Sequence, residues 1–165
     1  MIPNQALSTR FSLYQLTRTD QVKFQEANRM LAPGELDKLI SVAGLLEVCA
    51  DLMGCELDIH SGRRCPQLNA AIGGAAKSQH LLCEAADFSP FGPDTEESIE
   101  PFFQKLVAAA HTGKLRFGQL ICESQGSPRE GRKVWLHISL GMPFRPLERC
   151  MQILRMKDGK YTVVG

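Results

Sequence analysis

Apolar residues recur at helical spacing most clearly between positions 35 and 53. Leu36, Leu39, Ile40, Ala43, Leu46, Ala50 and Met53 fall on one face, with Glu35, Asp37, Lys38 and Glu47 on others. This predicts a helix over 35–53, with Gly54 as its stop. A second helix is predicted over 96–111, with Ile99, Phe102, Phe103, Leu106 and Ala110 on its buried side. Asp94 and Glu97 stand in capping-box relation at its start, and Gly113 ends it. Ahead of both, Ser8–Leu16 alternates roughly. Residues 16–20 read as a turn into a short helix that Thr19 or Asp20 would cap, and Pro33-Gly34 ends that region.

Elsewhere the period is two. Glu56–His60 alternates as a strand with one wet face, and Ser61-Gly62 ends it. Residues 85–89 are a short strand candidate. Between them, Arg63–Gln79 keeps no period, and Pro66, Gly73 and Gly74 mark a long structured loop with a helical turn near 66–71. Residues 117–123 and 134–140 are two further strands. In the second, Val134, Leu136, Ile138 and Leu140 alternate with Trp135, His137 and Ser139. Residues 152–156 and 161–164 form a last hairpin through Lys157-Asp158-Gly159-Lys160, where Asp-Gly is the turn signal. The expected fold class is α+β: a small single domain over 1–165, with a central antiparallel sheet packed against two main helices. Residues 1–6 are expected to be a flexible tail, and 152–165 the C-terminal hairpin.

Composition narrows the function classes. Nineteen Lys and Arg against eighteen Asp and Glu give a formal charge of +1. That balance excludes a strongly basic nucleic-acid arm and an acidic disordered tail. No apolar run approaches the ~18 residues of a membrane span, and Met1–Arg10 has no signal-peptide core. Six cysteines at 49, 55, 65, 83, 122 and 150 are scattered without CxxC spacing, so reduced thiols are expected. Cys49, Cys122 and Cys150 read as buried thiols without chemistry.

Candidate chemistry rests on few residues. His80 follows a Gly-rich loop and stands seven residues before Asp87, and His137 lies mid-strand on the face opposite Val134, Leu136 and Ile138. Two imidazoles and a carboxylate are a normal ligand set for catalytic zinc, with a fourth position left for water. Spacing alone leaves ordinary hydrogen-bonded histidines as the other reading. His111 has no ligand-like context.

A chain of motifs changes that balance. Ser61-Gly62-Arg63-Arg64-Cys65-Pro66, Leu68-Asn69, Gly73-Gly74, Ser78-Gln79-His80, Glu84-Ala85-Ala86-Asp87 and Trp135-Leu136-His137-Ile138-Ser139 follow in order. Together they resemble the M15 peptidases, the zinc D-Ala-D-Ala carboxypeptidase-like and phage endolysin group. Leu7-Ser8 to Leu16-Thr17 resembles its small phage-type branch, and the likeness runs from about residue 7 to 155. The resemblance implies a hedgehog/D,D-peptidase-like fold with His80, Asp87 and His137 as zinc ligands. It implies that Arg64 contacts the substrate carbonyl or carboxylate and supports oxyanion charge, a role suited to a guanidinium. Ser78, in the same motif as His80, is expected to bind substrate.

The general base departs from the better-known pattern. Members of the family place a carboxylate three residues before the last histidine, where this chain has Val134. The phage-type branch instead carries a glutamate at the end of the preceding strand, matching Glu123. Glu84, Asp58 and Glu130 are the other carboxylates weighed for that role. Cys83 replaces a family glycine and could bind zinc, react or pack, with strain if that position needs a positive φ. Gly118 stands where the branch commonly has Asp, and Arg63 where an aromatic is usual.

The resemblance implies zinc-dependent hydrolysis of a peptide bond in the peptidoglycan stem, by a carboxypeptidase or an endopeptidase. The other class is a phage virion structural or accessory protein that keeps the fold with a structural zinc or none, contacting other virion proteins. Either reading has the chain made in a host cytoplasm, then acting at the cell wall or built into a virion. A basic cluster of Arg63, Arg64 and Lys77 could attract an anionic polymer; nucleic-acid and membrane partners are not expected.

Overall fold

The computed structural model describes residues 4–127 and 131–164. Among these, five helices and a six-stranded sheet make a small α+β fold. The helices are α1 (Leu13–Thr17), α2 (Gln25–Arg29), α3 (Glu35–Met53), α4 (Pro66–Ala71) and α5 (Glu96–His111). The strands are β1 (Leu57–Ser61), β2 (Ala85–Pro90), β3 (Gln119–Gln125), β4 (Lys133–Ser139), β5 (Gln152–Lys157) and β6 (Lys160–Val163), in spatial order β1-β2-β4-β3-β5-β6. No helix of the described residues is long and apolar enough to cross a membrane.

The two main helices cover 35–53 and 96–111, as the apolar period requires. Gly54 takes φ 72° past the end of α3, the left-handed conformation that a side chain would strain. Leu39, Ala43, Leu46, Ala50 and Met53 of the expected face of α3 are buried; Val42 and Cys49 join them, and Ile40 is exposed. Thr95, rather than Asp94, caps α5 by accepting from the Ser98 N–H. Asp94 instead accepts from Ser89 Oγ at 2.9 Å, and its carbonyl accepts from the Val134 N–H.

The N-terminal region differs from the roughly alternating reading. Ser12 and Gln15 form a reciprocal capping box that starts α1, a signal sitting inside Ser12-x-x-Gln15. The Gln5 carbonyl accepts from Leu13 N–H, and Asn4 Oδ1 from Tyr14 N–H. The short helix after Thr19 and Asp20 is α2; it carries no side-chain cap from either.

The sheet is mixed rather than antiparallel, because β5 runs parallel to β3. The cause is where β4 ends. Gly118 N–H donates to the Ser139 carbonyl, so the end of β4 lies beside the start of β3. The connection then meets Phe117 and Gly118 through Met151 N–H and Gln152 N–H, and starts β5 from that same end. A chain entering beside the start of a strand runs in the same direction. The β5–β6 hairpin turns through Asp158 (φ 49°) and Gly159 (φ 80°), both left-handed as a type I′ turn needs.

One face of the sheet meets the helices. Phe88, Leu136, Ile138, Leu120, Cys122 and Val134 join Leu39, Leu46, Ile99, Phe103 and Leu106 in one apolar cluster. The alternate residues of the same strands project to the opposite face. All six cysteines are free. Cys49 and Cys122 are buried, whereas Cys150 is half-exposed, because it lies past the sheet in the β4–β5 connection.

Candidate metal centre

Three elements assemble the site. Asp87 on β2 pairs directly with His137 on β4, so both side chains share the face away from the helices. His80 comes from a 3₁₀ turn, Gln79–Leu82, that leads into β2. Asp87 Oδ1 lies 3.2 Å from His80 Nε2 and 2.8 Å from His137 Nδ1. One ligand atom from each of the three residues falls within 4.8 Å of the others, and all three residues are buried. Burial opposes the Asp87 charge, yet His80 and His137 together hold its carboxyl well below the ordinary carboxylate range.

The outer partners orient these groups. His80 Nδ1 lies 2.6 Å from the Gly62 carbonyl, so Nδ1–H donates there and Nε2 faces Asp87. That contact depends on Gly62, where a Cβ would come within 2.3 Å of the Leu16 carbonyl oxygen at the end of α1. Arg64 Nη2 donates to Asp87 Oδ2 at 2.5 Å and Arg64 Nε to Ser61 Oγ at 2.8 Å. The guanidinium therefore holds the ligand carboxylate from behind. This donor set fits a zinc ion: two neutral-capable imidazole nitrogens and an ionised carboxylate converge, with their second atoms already bonded.

A cavity of about 670 Å³ opens over the cluster and is bordered by Arg64, Ser78, Glu123, Trp135 and Tyr161 as well as the three candidate ligands. Glu123 on β3 pairs with Trp135 on β4, one pleat along from the Ile121–His137 pair. Burial and then the nearby Asp87 charge push its pKa up, against the opposing pull of His137 and Arg64. Val134 points into the helix-side core instead, since it sits an odd number of residues from His137. Asp58 pairs with Arg18 on β1, and Glu84 is buried against Lys38 at 2.8 Å; neither borders the cavity. Glu130 lies outside the described residues.

The other departures have structural accounts. Cys83 adopts φ 59°, the left-handed conformation that suits the glycine it replaces. Its thiol is in the apolar cluster, and burial pushes its pKa up to about 12, so it packs as a small hydrophobe. A Cβ at Gly118 would lie 2.4 Å from the Leu140 carbonyl oxygen and 2.8 Å from Arg145 Cδ, so an Asp there has no room. The expected basic cluster does not form. Arg63 is buried, donating to Glu35 and to the Ala27 and Asn28 carbonyls, because α2 folds back over it. Two neighbours had not been singled out. Gln79 contacts His137 Nε2 at 2.7 Å, and Tyr161 reaches the cavity from β6. Only the adjacency of Gln79 to His80 hinted at the first.

A family model described as Peptidase M15 matches residues 12–121, about two-thirds of the chain. The chain belongs to the M15 peptidase family. Membership points to peptidase activity, which in this family is typically zinc-dependent, and the His80, Asp87 and His137 cluster could hold a metal ion. The match spans Arg64, Ser78, His80 and Asp87 and stops short of Glu123 and His137; β3–β4 pairing brings those two to the same cavity. No curated protein matches the chain.

Proposed function

We propose that the protein hydrolyses a peptide bond in the stem peptide of bacterial peptidoglycan, as a D,D-carboxypeptidase or endopeptidase of the phage lysin type. The observation that supports this most is the convergence of His80 Nε2 and His137 Nδ1 on Asp87 Oδ1 in the floor of a cavity that Glu123 borders. His80, Asp87 and His137 would hold a zinc ion, which when bound would supply a Lewis acid for a carbonyl and an acidified water near neutral pH. Glu123 takes the proton of the attacking water on its carboxylate and passes it to the departing amine nitrogen. Its raised pKa strengthens it as a base, and it stands opposite Trp135 across the β3–β4 pair.

Arg64 keeps Asp87 aimed. Its guanidinium has donors beyond those spent on Asp87 and Ser61, and these meet the scissile carbonyl or a terminal carboxylate. Ser78 borders the cavity beside the 3₁₀ turn, where its hydroxyl contacts the peptide backbone of the substrate.

The test pairs zinc content by mass spectrometry with release of stem-peptide fragments from purified cell wall. One zinc per chain with turnover lost in Glu123→Ala supports hydrolysis and the assigned base. One zinc without turnover on any wall type favours a structural site in a virion protein. No zinc after reconstitution removes the metallopeptidase reading.

A further inference from the structure

A second cavity adjoins the one over the metal cluster. Its volume is about 440 Å³, and it lies between the 3₁₀ turn that carries His80 and the β4–β5 connection. Lys77, Ser78 and Arg145 border both cavities, so a peptide lying against Ser78 has a continuous path from the first into the second.

The charges along that path are unbalanced. Lys77, Arg145 and Arg149 line the second cavity against a single carboxylate, Glu84. Glu84 is already engaged: Lys38 donates to it at 2.8 Å, and Arg145 stands 3.7 Å away. Arg145 Nε is buried without a hydrogen-bond partner. Its Nη1 and Nη2 lie 2.9 and 2.7 Å from the Gln79 side-chain amide, which is uncharged whichever of its two atoms faces them. Lys77 and Arg149 are exposed, and among the described residues neither is in an ion pair. The rest of the lining is largely apolar, with Leu82 and Phe144 left 49% and 38% exposed. A matching ligand has aliphatic carbons to lie on these side chains and an anionic end to meet the cations. A carboxylate suits the planar donors of the two guanidinium groups.

We infer that the second cavity is a subsite for a carboxylate-bearing residue of the substrate peptide, held among Lys77, Arg145 and Arg149 while the backbone continues past Ser78 to the metal cluster. The inference rests on the peptidase reading above and adds a preference for an acidic residue away from the scissile bond.

The probes are two stem pentapeptides. One is L-Ala-γ-D-Glu-L-Lys-D-Ala-D-Ala with its free glutamate α-carboxylate, and the other carries that group as a carboxamide. The acidic peptide is expected to show a KM about 10-fold lower, the size of one hydrogen bond to a charged group. The difference falls on KM rather than kcat, because the contact is the same in the ground and transition states. In Arg149→Gln and in Lys77→Gln the preference should fall to about threefold or less. Both side chains are exposed, so neither change opens the core. Lys114→Gln removes the same charge from a residue that lines neither cavity and should keep the preference.

Fluorescence anisotropy of the labelled peptides on Glu123→Gln, alone and combined with each variant, reads the same preference without turnover. Equal binding of the two peptides, or a preference that survives both Arg149→Gln and Lys77→Gln, overturns the subsite whatever the turnover. Absence of turnover on peptide and cell wall, with the preference present in binding, overturns the hydrolase reading and leaves the subsite standing.

Discussion

The two faces of the sheet are built from the same strands and differ by a single residue of register. On the helix face, Ala86 and Phe88, Leu136 and Ile138, and Leu120 and Cys122 meet α3 and α5 in a cluster of apolar side chains. On the other face, Asp87, His137 and Ser139 are also buried, yet polar. Burial is satisfied without direction on the first face, by contact and exclusion of water. On the second it is tolerated only because each polar atom has an assigned partner: Asp87 with His80, His137 and Arg64, and Ser139 Oγ with the Gln119 N–H. The site is thus a second, polar core, as closed to random substitution as the apolar one.

Breaking the polar face at its hub has the largest expected effect. Asp87→Ala removes the oxygen on which both histidines converge, so zinc affinity should fall by more than the roughly 100-fold that loss of an outer partner costs. Chelator competition checks this, and hydrolysis should vanish with the metal. Glu123→Gln keeps the shape and removes the base. Turnover should drop by about 10²–10⁴-fold with zinc content unchanged, as read by paired kinetics and metal analysis. On the helix face, Phe88→Ala should cost about 3–5 kcal/mol in denaturant unfolding, while the folded fraction still binds one zinc. Arg64→Lys keeps the charge but cannot reach Ser61 and Asp87 together; zinc affinity should weaken by about 10-fold.

The smallest effect sharpens the contrast through pH. The folded pKa of Glu123 is raised, first by burial and then by Asp87, so its ionised form is penalised only in the folded state. That penalty is fully present above the folded pKa and disappears as pH falls below the ordinary carboxylate range, where both states are protonated. In metal-free protein Glu123→Gln should therefore raise the melting temperature at neutral and alkaline pH, with the gain closing on acidification. An equal gain at all pH values would contradict the assigned cause.

Much of this was legible in the chain. The bounds of α3 and α5 follow from an apolar period that survives any tertiary context, and the Asp158-Gly159 turn from its need for positive φ. The strand around His137 places that residue opposite Leu136 and Ile138 by alternation alone. Less legible were features set by distant partners. The buried stripe of α3 keeps Leu39, Ala43, Leu46, Ala50 and Met53 but takes in Val42 and leaves Ile40 exposed, because packing against neighbouring elements sets the edges of the stripe. Arg63 read as a surface cation until Glu35 and the α2 carbonyls enclosed it.

By itself the sequence determined which residue types were available for chemistry and on which side of each strand they lie, because side-chain alternation and helical period are local properties of the backbone. It also placed Cys83 where the family has a glycine, with strain if that position needs a positive φ, and the structure gives it φ 59°. Only the tertiary structure decided that β5 enters parallel to β3, that Glu123 borders the His80–Asp87–His137 cavity, and that Gln79 lies between His137 and Arg145. These depend on pairings between residues tens of positions apart, where strand register and chain direction, rather than composition, bring the groups within bonding distance.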